Sequence, residues 1–413
     1  MGSSGGDGDG DGDYDVIVVG AGIMGSCAAY ELSKRGKTTL LLEKFDFLHH
    51  LGSSHGGSRT IRATYPELYY PPMVLESFKL WEQAQSEIGY NVYTKTPQLD
   101  IGPSDNKSFL ALISSCQANS IPLQFLDQSD VTKLFSGTFI LPEGWTAVVS
   151  ELGGVLKPTK AVAMFQSLAI RHGAVLRDRM EVLDIKKDHN FGVQVFTVSG
   201  HRFKARKCVV TVGAWTRKLV NSVTGMNLPI QPLHTSICYW KVKEGKEDLF
   251  SPEGGFPTFA SYGEPYIYGT PVIEFPGLVK IALHGGSFCD PDKREWGRNS
   301  VVDSVRSWLE MVMPRFVEAG EPVISQDCMY SMTPDEDYVI DFLGGEFGED
   351  VVVAGGFSGH GFKMGPVVGR VVAEMVVDGE VKGVEMKHFR IGRFAEDPKG
   401  NAKEHGDNQV NSL

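Results

Sequence analysis

Val16-Ile17-Val18-Val19-Gly20-Ala21-Gly22-Ile23-Met24-Gly25 decides how the rest of this chain is read. Its four β-branched residues make a short apolar run of the kind buried on both faces of a parallel sheet. They lead straight into a G-x-G-x-x-G turn, after which residues 24–35 read as a helix closed by Gly36. Residues 38–42 read as a second strand ending at Glu43. The glycines alone would be weak, but strand, turn, helix and strand in this order make a dinucleotide-binding βαβ unit. In such a unit Gly20 permits the tight turn and Gly22 lets a pyrophosphate approach the backbone at the positive end of the helix. Gly25 lets helix and strand pack closely. Glu43 is where a carboxylate accepts hydrogen bonds from ribose hydroxyls, and its charge disfavours a 2′-phosphate. The unit does not separate NAD from FAD.

With 413 residues, the chain is too long for one ordinary core, so two domains built from discontinuous segments are expected. A net charge of −11 argues against nucleic acid or an anionic membrane as partner, since both need a basic surface. It does not exclude an anionic small molecule at a locally basic site. No apolar stretch is long enough to span a bilayer. The cysteines, Cys27, Cys116, Cys208, Cys238, Cys289 and Cys328, lack paired spacing. That disfavours both a metal site and a disulfide framework, and fits a reducing compartment. Residues 1–13 are glycine, serine and acid and read as a disordered tail.

Past Glu43 the run Ser53-Ser54-His55-Gly56-Gly57-Ser58-Arg59-Thr60-Ile61-Arg62 sets two arginines beside a glycine-rich bend. This suits contact with phosphate or carboxylate while backbone approaches a flat ligand; the alternative is a solvated loop. Pro71 and Pro72 open a helix that ends at Gly89. Residues 91–101 read as a strand, 107–118 as a helix and 121–149 as irregular. Residues 158–172 read as a helix, and the strands 181–186, 191–199 and 202–212 return the chain to the nucleotide domain. Residues 228–286 read as nearly all β, 300–313 as a helix and 325–330 as a strand. The apolar run 351–354 then enters a second glycine-rich turn, 355–365, before a helix over 366–377. Such a turn can aim backbone N–H groups at a developing anion, and two of them are hard to assign to NAD alone.

Four stretches carry a family resemblance: residues 20–25; His55-Gly56-Gly57-Ser58-Arg59-Thr60-Ile61-Arg62; Cys328-Met329-Tyr330-Ser331-Met332-Thr333-Pro334-Asp335; and Gly356-Phe357-Ser358-Gly359-His360-Gly361-Phe362-Lys363. Together they resemble the monomeric sarcosine oxidase and L-pipecolate oxidase family, in order, from about residue 14 to residue 389. The resemblance implies an α/β fold in which a doubly wound, Rossmann-like FAD-binding domain is interleaved with a mixed-sheet substrate domain. On this reading residues 14–92, 150–225 and 325–392 form the FAD domain and residues 93–149 and 226–324 the substrate domain. Residues 393–413 are a tail.

The implied chemistry is oxidation of a secondary amino acid, L-pipecolate or sarcosine, at its C–N bond, with FAD reduced and then reoxidised by oxygen to give hydrogen peroxide. Cys328 matches the residue that tethers the flavin through a thioether. Arg62 and Lys363 match the pair that holds the substrate carboxylate. Arg59 and His55 match positions beside the flavin ring. Lys280 matches an oxygen-activating lysine, and His284, four residues on and so on the same side of a strand, a residue lining the substrate site. Tyr268 and Tyr330 match lining positions, and Gly356, Gly359, His360 and Gly361 belong to the second cofactor turn. The resemblance also implies a monomer, with a peroxisome as the compartment, or cytoplasm in a bacterial source. The competing readings are a dehydrogenase of the same fold that uses another acceptor, and a flavin-holding module without catalysis.

Overall fold

The computed structural model describes residues 13–293, 301–403 and 411–412. The expected disordered tail, residues 1–13, lies outside them except for Asp13, as does the last residue of the chain. The βαβ unit forms as its sequence requires. Strand β1 (Asp13–Val19) runs into helix α1 (Ile23–Lys34), with Gly22 in extended conformation as its N-cap, and strand β2 (Thr39–Leu42) returns parallel to β1. On its other side β1 pairs in parallel with Arg202–Val210, which pairs in parallel with Val351–Gly355. Beyond β2 lies Val175–Arg177, also parallel. The strand order 175–177, β2, β1, 202–210, 351–355 puts both glycine turns at the carboxyl ends of central strands, where doubly wound sheets bind their ligands.

Both faces of these strands are covered, which is why they read as unbroken apolar runs. Alternate residues of β1 show the division. Val16 and Val18 pack toward α1 and the helices Pro158–Arg171 and Gly365–Asp378, while Ile17 and Val19 pack with Val193, Phe203 and Val220. Two close approaches depend on glycine. A Cβ on Gly25 would lie 1.8 Å from the Gly20 carbonyl oxygen, and one on Gly369 would lie 2.7 Å from the carbonyl carbon of Cys27 in α1.

A ten-stranded mixed sheet forms the second layer. Its centre is Gln231–Lys241, flanked along its whole length by Ile324–Met332 and on the other side by Leu278–Leu283 and Gly285–Phe288. Ile267–Phe275 and Thr258–Ser261 continue it, and Gln98–Pro103 joins in parallel, followed by Trp145–Ser150 and Gln124–Leu126. One face packs Cys238, Trp240, Val279, Ile281 and Leu283 against the helix Val301–Val312. Strand alternation therefore turns Tyr239, Lys280 and Cys328 to the opposite face. A small sheet of Arg59–Arg62, Gly153–Leu156 and Tyr93–Lys95 carries the two loop arginines.

Four expectations need correction. Residues 121–149 are not irregular: they hold Gln124–Leu126, the helix Gln128–Leu134 and Trp145–Ser150. That helix has seven residues, too few to display a period, but its capping box of Asp127 and Asp130 was legible. Residues 91–101 form two strands, parted at Thr96 and Pro97. The segment 325–392 begins in the second sheet, through Ile324–Met332, and enters the first only at Val339–Phe342. Nor are residues 393–403 a loose tail. Arg393 makes a two-pronged ion pair with buried Asp335 at 2.7 and 3.1 Å, and Asn401 and Lys403 reach buried Asp337 at 2.7 and 3.0 Å. Carboxylates buried to this degree require such partners. Among the described residues no helix is long and apolar enough to cross a membrane.

Gly25→Ala is expected to destabilise the protein by about 3 kcal/mol or more, since the new methyl meets fixed backbone. Gly320→Ala, where nothing lies within 4 Å, should stay within about 0.5 kcal/mol. Parallel thermal denaturation of the two variants checks this; equal midpoints would contradict it.

Candidate active site

One cavity, of about 460 Å³ open to the centre of a water-sized sphere, joins the glycine turn of the first sheet to the second sheet. At the turn it is lined by Gly20, Ala21, Gly22 and Glu43. Gly20 takes a φ of +96°, and a Cβ there would lie 2.6 Å from the Thr211 carbonyl oxygen; at Gly22 the nearest atom is the Ser54 hydroxyl at 3.1 Å. Gly20 thus serves the turn, whereas Gly22 keeps backbone open to the cavity. Glu43 is buried and accepts the Ala21 N–H at 2.8 Å and the Phe45 N–H at 3.1 Å, which aims its carboxylate across the turn.

At the other end Arg62 and Lys363, 301 residues apart in sequence by their numbers, converge on Tyr65. The Arg62 guanidinium lies over the Tyr65 ring, 4.8 Å from its centroid, and donates to the Thr64 carbonyl and to the Tyr266 hydroxyl at 3.3 Å. Lys363 Nζ donates to the Tyr65 hydroxyl and to the His360 carbonyl, both at 3.1 Å. Both cations are buried. Burial works against the charge on Arg62, but Tyr262, Tyr266 and Asp100 more than offset it and raise its pKa. Lys363 yields: burial, and then the Arg62 charge, push its pKa well below the usual lysine range.

His360 is held by its own bonds. Its Nε2 faces the Glu336 carbonyl at 2.9 Å, which only accepts, so Nε2 carries the proton and Nδ1 accepts from the Tyr338 hydroxyl at 2.9 Å. Burial and Lys363 lower its pKa to about 3. His284 is likewise pushed down to about 3, by burial and then by Lys363 and Arg62, so both rings are neutral. Gly359, with a φ of +78°, is where the chain passes these rings: a Cβ would lie 2.8 Å from both His284 Cε1 and Tyr330 Cε2. Burial pushes the Tyr268 and Tyr330 phenols up, which keeps them uncharged.

Between the two ends, Arg59 Nη2 donates to Cys328 Sγ at 3.5 Å and to the Ser53 carbonyl at 3.3 Å. Lys280 Nζ donates to the Ser58 carbonyl at 2.9 Å and the Ser58 hydroxyl at 3.1 Å. Burial, and then Arg59, lower the Lys280 pKa to about 8. His55 is buried against His50, with its pKa lowered to about 4 by burial and by Arg59.

Of the residues singled out from sequence, Gly20, Gly22, Glu43, Arg59, Arg62, Tyr268, Lys280, His284, Cys328, Tyr330, Gly359, His360, Gly361 and Lys363 all line this one cavity. Gly25, Gly356 and His55 do not. Gly25 serves helix packing. Gly356, at a φ of +64°, serves the turn over Thr333. His55 sits behind the wall, and its Nε2 has no partner among the described atoms. Sequence reading missed Tyr65, which both cations share, and Glu274, which binds Ser58 behind Lys280. A lone tyrosine and a lone glutamate in those runs carry no signal of their own; only Ser58 lay inside a quoted motif. Among the described residues no cluster of histidine, cysteine or carboxylate is arranged to hold a metal ion.

The lining of the cavity fits a dinucleotide cofactor, which the bare glycine turn and Glu43 would hold at one end. The test is steric: a Cβ at Gly22 would meet only the Ser54 side chain, so the backbone there is bare toward the cavity. A family model described as FAD dependent oxidoreductase matches residues 15–375. The probable sarcosine oxidase of Arabidopsis thaliana is 57% identical, over 95% of this chain and 96% of its own. The peroxisomal sarcosine oxidase of Homo sapiens is 33% identical, over 92% of this chain and 95% of its own. In fold, L-proline dehydrogenase from P. horikoshii matches with a TM-score of 0.78 and 24% identity, over 93% of this chain and 98% of that one. Because the family match takes in both sheets and the cavity they enclose, this chain belongs to the FAD-dependent oxidoreductase family.

Proposed function

We propose that this chain is an FAD-dependent oxidase of secondary amino acids, of the size of sarcosine or L-pipecolate, that yields an imine and hydrogen peroxide. The observation that carries the reading is the pair Arg62 and Lys363, buried together on Tyr65 in the cavity that begins at the glycine turn. Its support from relatives is the sarcosine oxidase name borne by the Arabidopsis and human proteins.

Two fixed cations sharing a tyrosine suit a carboxylate, whose two oxygens can be gripped at once so that the adjoining C–H bond has one orientation. Tyr268, Tyr330 and the neutral ring of His284 close the rest of the space without adding charge, so the amine is received in its neutral form. Bound FAD supplies the redox chemistry, taking hydrogen and electrons from the C–N unit and passing electrons to oxygen. The Lys280 ammonium offsets negative charge as oxygen is reduced, while Arg59 would stand beside the ring and Glu43 toward the ribose; His55, behind the wall, would act only through Arg59. Gly356, Gly359, His360 and Gly361 form the second cofactor turn. We assign Cys328 as the thioether tether: its side chain lines the cavity between the two ends, with Arg59 Nη2 3.5 Å from the sulfur.

The same reading assigns the first sheet to an FAD domain and the second to a substrate domain, in a monomeric enzyme. It assigns the protein to the peroxisome, on the strength of the human relative's compartment and because a peroxide producer is well sited beside catalase.

Two outcomes test the reading. An unreactive carboxylate analogue, followed by the change in flavin absorbance, should bind best at low pH, where Lys363 is charged. Its affinity should fall as pH rises through the depressed pKa of Lys363, and Lys363→Met should flatten that profile. Lys280→Met should leave anaerobic bleaching of the flavin by sarcosine or L-pipecolate in place and slow reoxidation by oxygen about a hundredfold. A variant that reacts with oxygen at the wild-type rate would exclude the role given to Lys280.

A further inference from the structure

Behind Lys280, on the side away from the cavity, lies a carboxylate that the reaction described above does not use. Glu274 projects from the strand Ile267–Phe275, which pairs with the lysine's own strand. Its Oε1 accepts the Ser58 hydroxyl, and its Oε2 accepts the Gly57 N–H at 3.1 Å and the Tyr239 hydroxyl at 2.6 Å. The approach is close enough that a Cβ on Gly57 would lie 2.5 Å from Glu274 Cγ. Glu274 is thus locked by three donors from two other elements, and the hydrogen-bonded route from it to Lys280 runs through Ser58.

The direction of that link matters. A serine hydroxyl has one proton, and here it is committed to Glu274, so toward Lys280 the oxygen offers only lone pairs. The Ser58 carbonyl, the lysine's other partner, also only accepts. Both contacts therefore require Nζ to donate; a neutral amine meets them with both of its N–H groups and turns a lone pair to the cavity, whereas the ammonium meets them with one N–H left for the cavity. Without the carboxylate, the hydroxyl would be free to turn and donate to a neutral amine.

We propose that Glu274, acting through Ser58, is a positioning residue that keeps the Lys280 ammonium charged and aimed into the cavity. The proposal rests on the reading of Lys280 as the group that faces oxygen, but its geometry does not. The charges around the lysine come from every neighbouring strand. Burial and Arg59, on Arg59–Arg62, oppose its proton; Glu274, on Ile267–Phe275, favours it, Cys328, on Ile324–Met332, has no charge once it is a thioether, and Tyr239 acts through its bond to Glu274. Glu274 in turn has its pKa lowered: burial opposes the shift, and Lys280, Ser58, Tyr239 and Arg59 outweigh it, so it is ionised at neutral pH. A negative group held one hydroxyl away is the largest feature in favour of charge at a site where burial and a guanidinium both act against it.

The test reads the lysine itself, without turnover. In holoprotein carrying lysine labelled with carbon-13 at Cε, the resonance missing from Lys280→Met identifies Lys280, and its pH titration gives the midpoint. Wild type should titrate near 8, and Glu274→Gln should shift the midpoint down by about one unit. Ser58→Ala, which keeps the carbonyl contact and removes the hydroxyl, should shift it in the same direction. The pH at which flavin reoxidation by oxygen declines should fall by the same amount in each variant. Thermal midpoints and flavin content check that both variants are folded. An unmoved Lys280 midpoint in folded, flavin-loaded Glu274→Gln would overturn the proposal whatever the oxidase rate. The Lys280→Met rate with oxygen judges the oxygen role separately.

Discussion

Two like charges buried against one tyrosine are the constraint around which this site is built. A cation taken out of water costs several kcal/mol even after relaxation, and a second one beside it adds repulsion. The structure answers the two unequally. Arg62, which cannot release its proton, is surrounded by Thr64, Tyr262, Tyr266 and Asp100; Lys363, which can, is given neutral oxygens only, from Tyr65 and His360. The pair is therefore held one negative charge short of comfort, a charge that the carboxylate of the proposed substrate would supply. Neighbouring groups conform to this arrangement. His284 and His360 are kept neutral by it, and Tyr268 and Tyr330 are too buried to ionise.

Holding such a pair in place takes the whole chain. Arg62 ends a strand of the small sheet, whereas Lys363 sits in the turn after Val351–Gly355 in the first sheet. That turn is pinned from behind by the Glu336 carbonyl on His360, and the loop carrying Glu336 is tied by Asp335 and Asp337 to Arg393, Asn401 and Lys403. The short helix Arg393–Glu396 and the segment 397–403 thus brace the Arg62–Lys363 end of the cavity, at a distance, through buried ion pairs that would be costly to break. On the opposite wall, the period-two alternation of the second sheet does the sorting. Val279, Ile281 and Leu283 are committed to the core, which leaves Lys280 facing the cavity without any special device.

How much could be read in advance depends on the range of the signal. The βαβ unit announces itself because strand, turn and helix are contiguous and each glycine has a local task, as the steric approach at Gly20 and Gly25 bears out. The helix over 107–118 carries its own Asn106 cap, the helix over 158–171 opens on Pro158, and each has a buried apolar face. Cys328, Lys280 and Lys363 became legible only through motif resemblance, since no local rule links residues so far apart; Arg62 stood out locally, beside a glycine bend, but its partner did not. The partners that set their chemistry stayed hidden for the same reason. Tyr65 and Glu274 act through tertiary contacts with residues 298 and 216 positions away. The burial of residues 393–403 was equally silent, because acidic and basic residues near a terminus look like a solvated tail until Asp335 and Asp337 are seen to be inside.

The claim that Arg62 and Lys363 grip a carboxylate is tested most directly by comparing sarcosine with its primary amide, which differs only in lacking that charge. Anaerobic flavin reduction by the two compounds should differ by about a hundredfold or more in the wild-type protein, as expected of a site built around a group that one ligand lacks. In Lys363→Met the preference should shrink at least tenfold because the acid slows while the amide is little changed. Equal rates for acid and amide in the wild type, or a preference that survives the loss of Lys363 intact, would contradict the account.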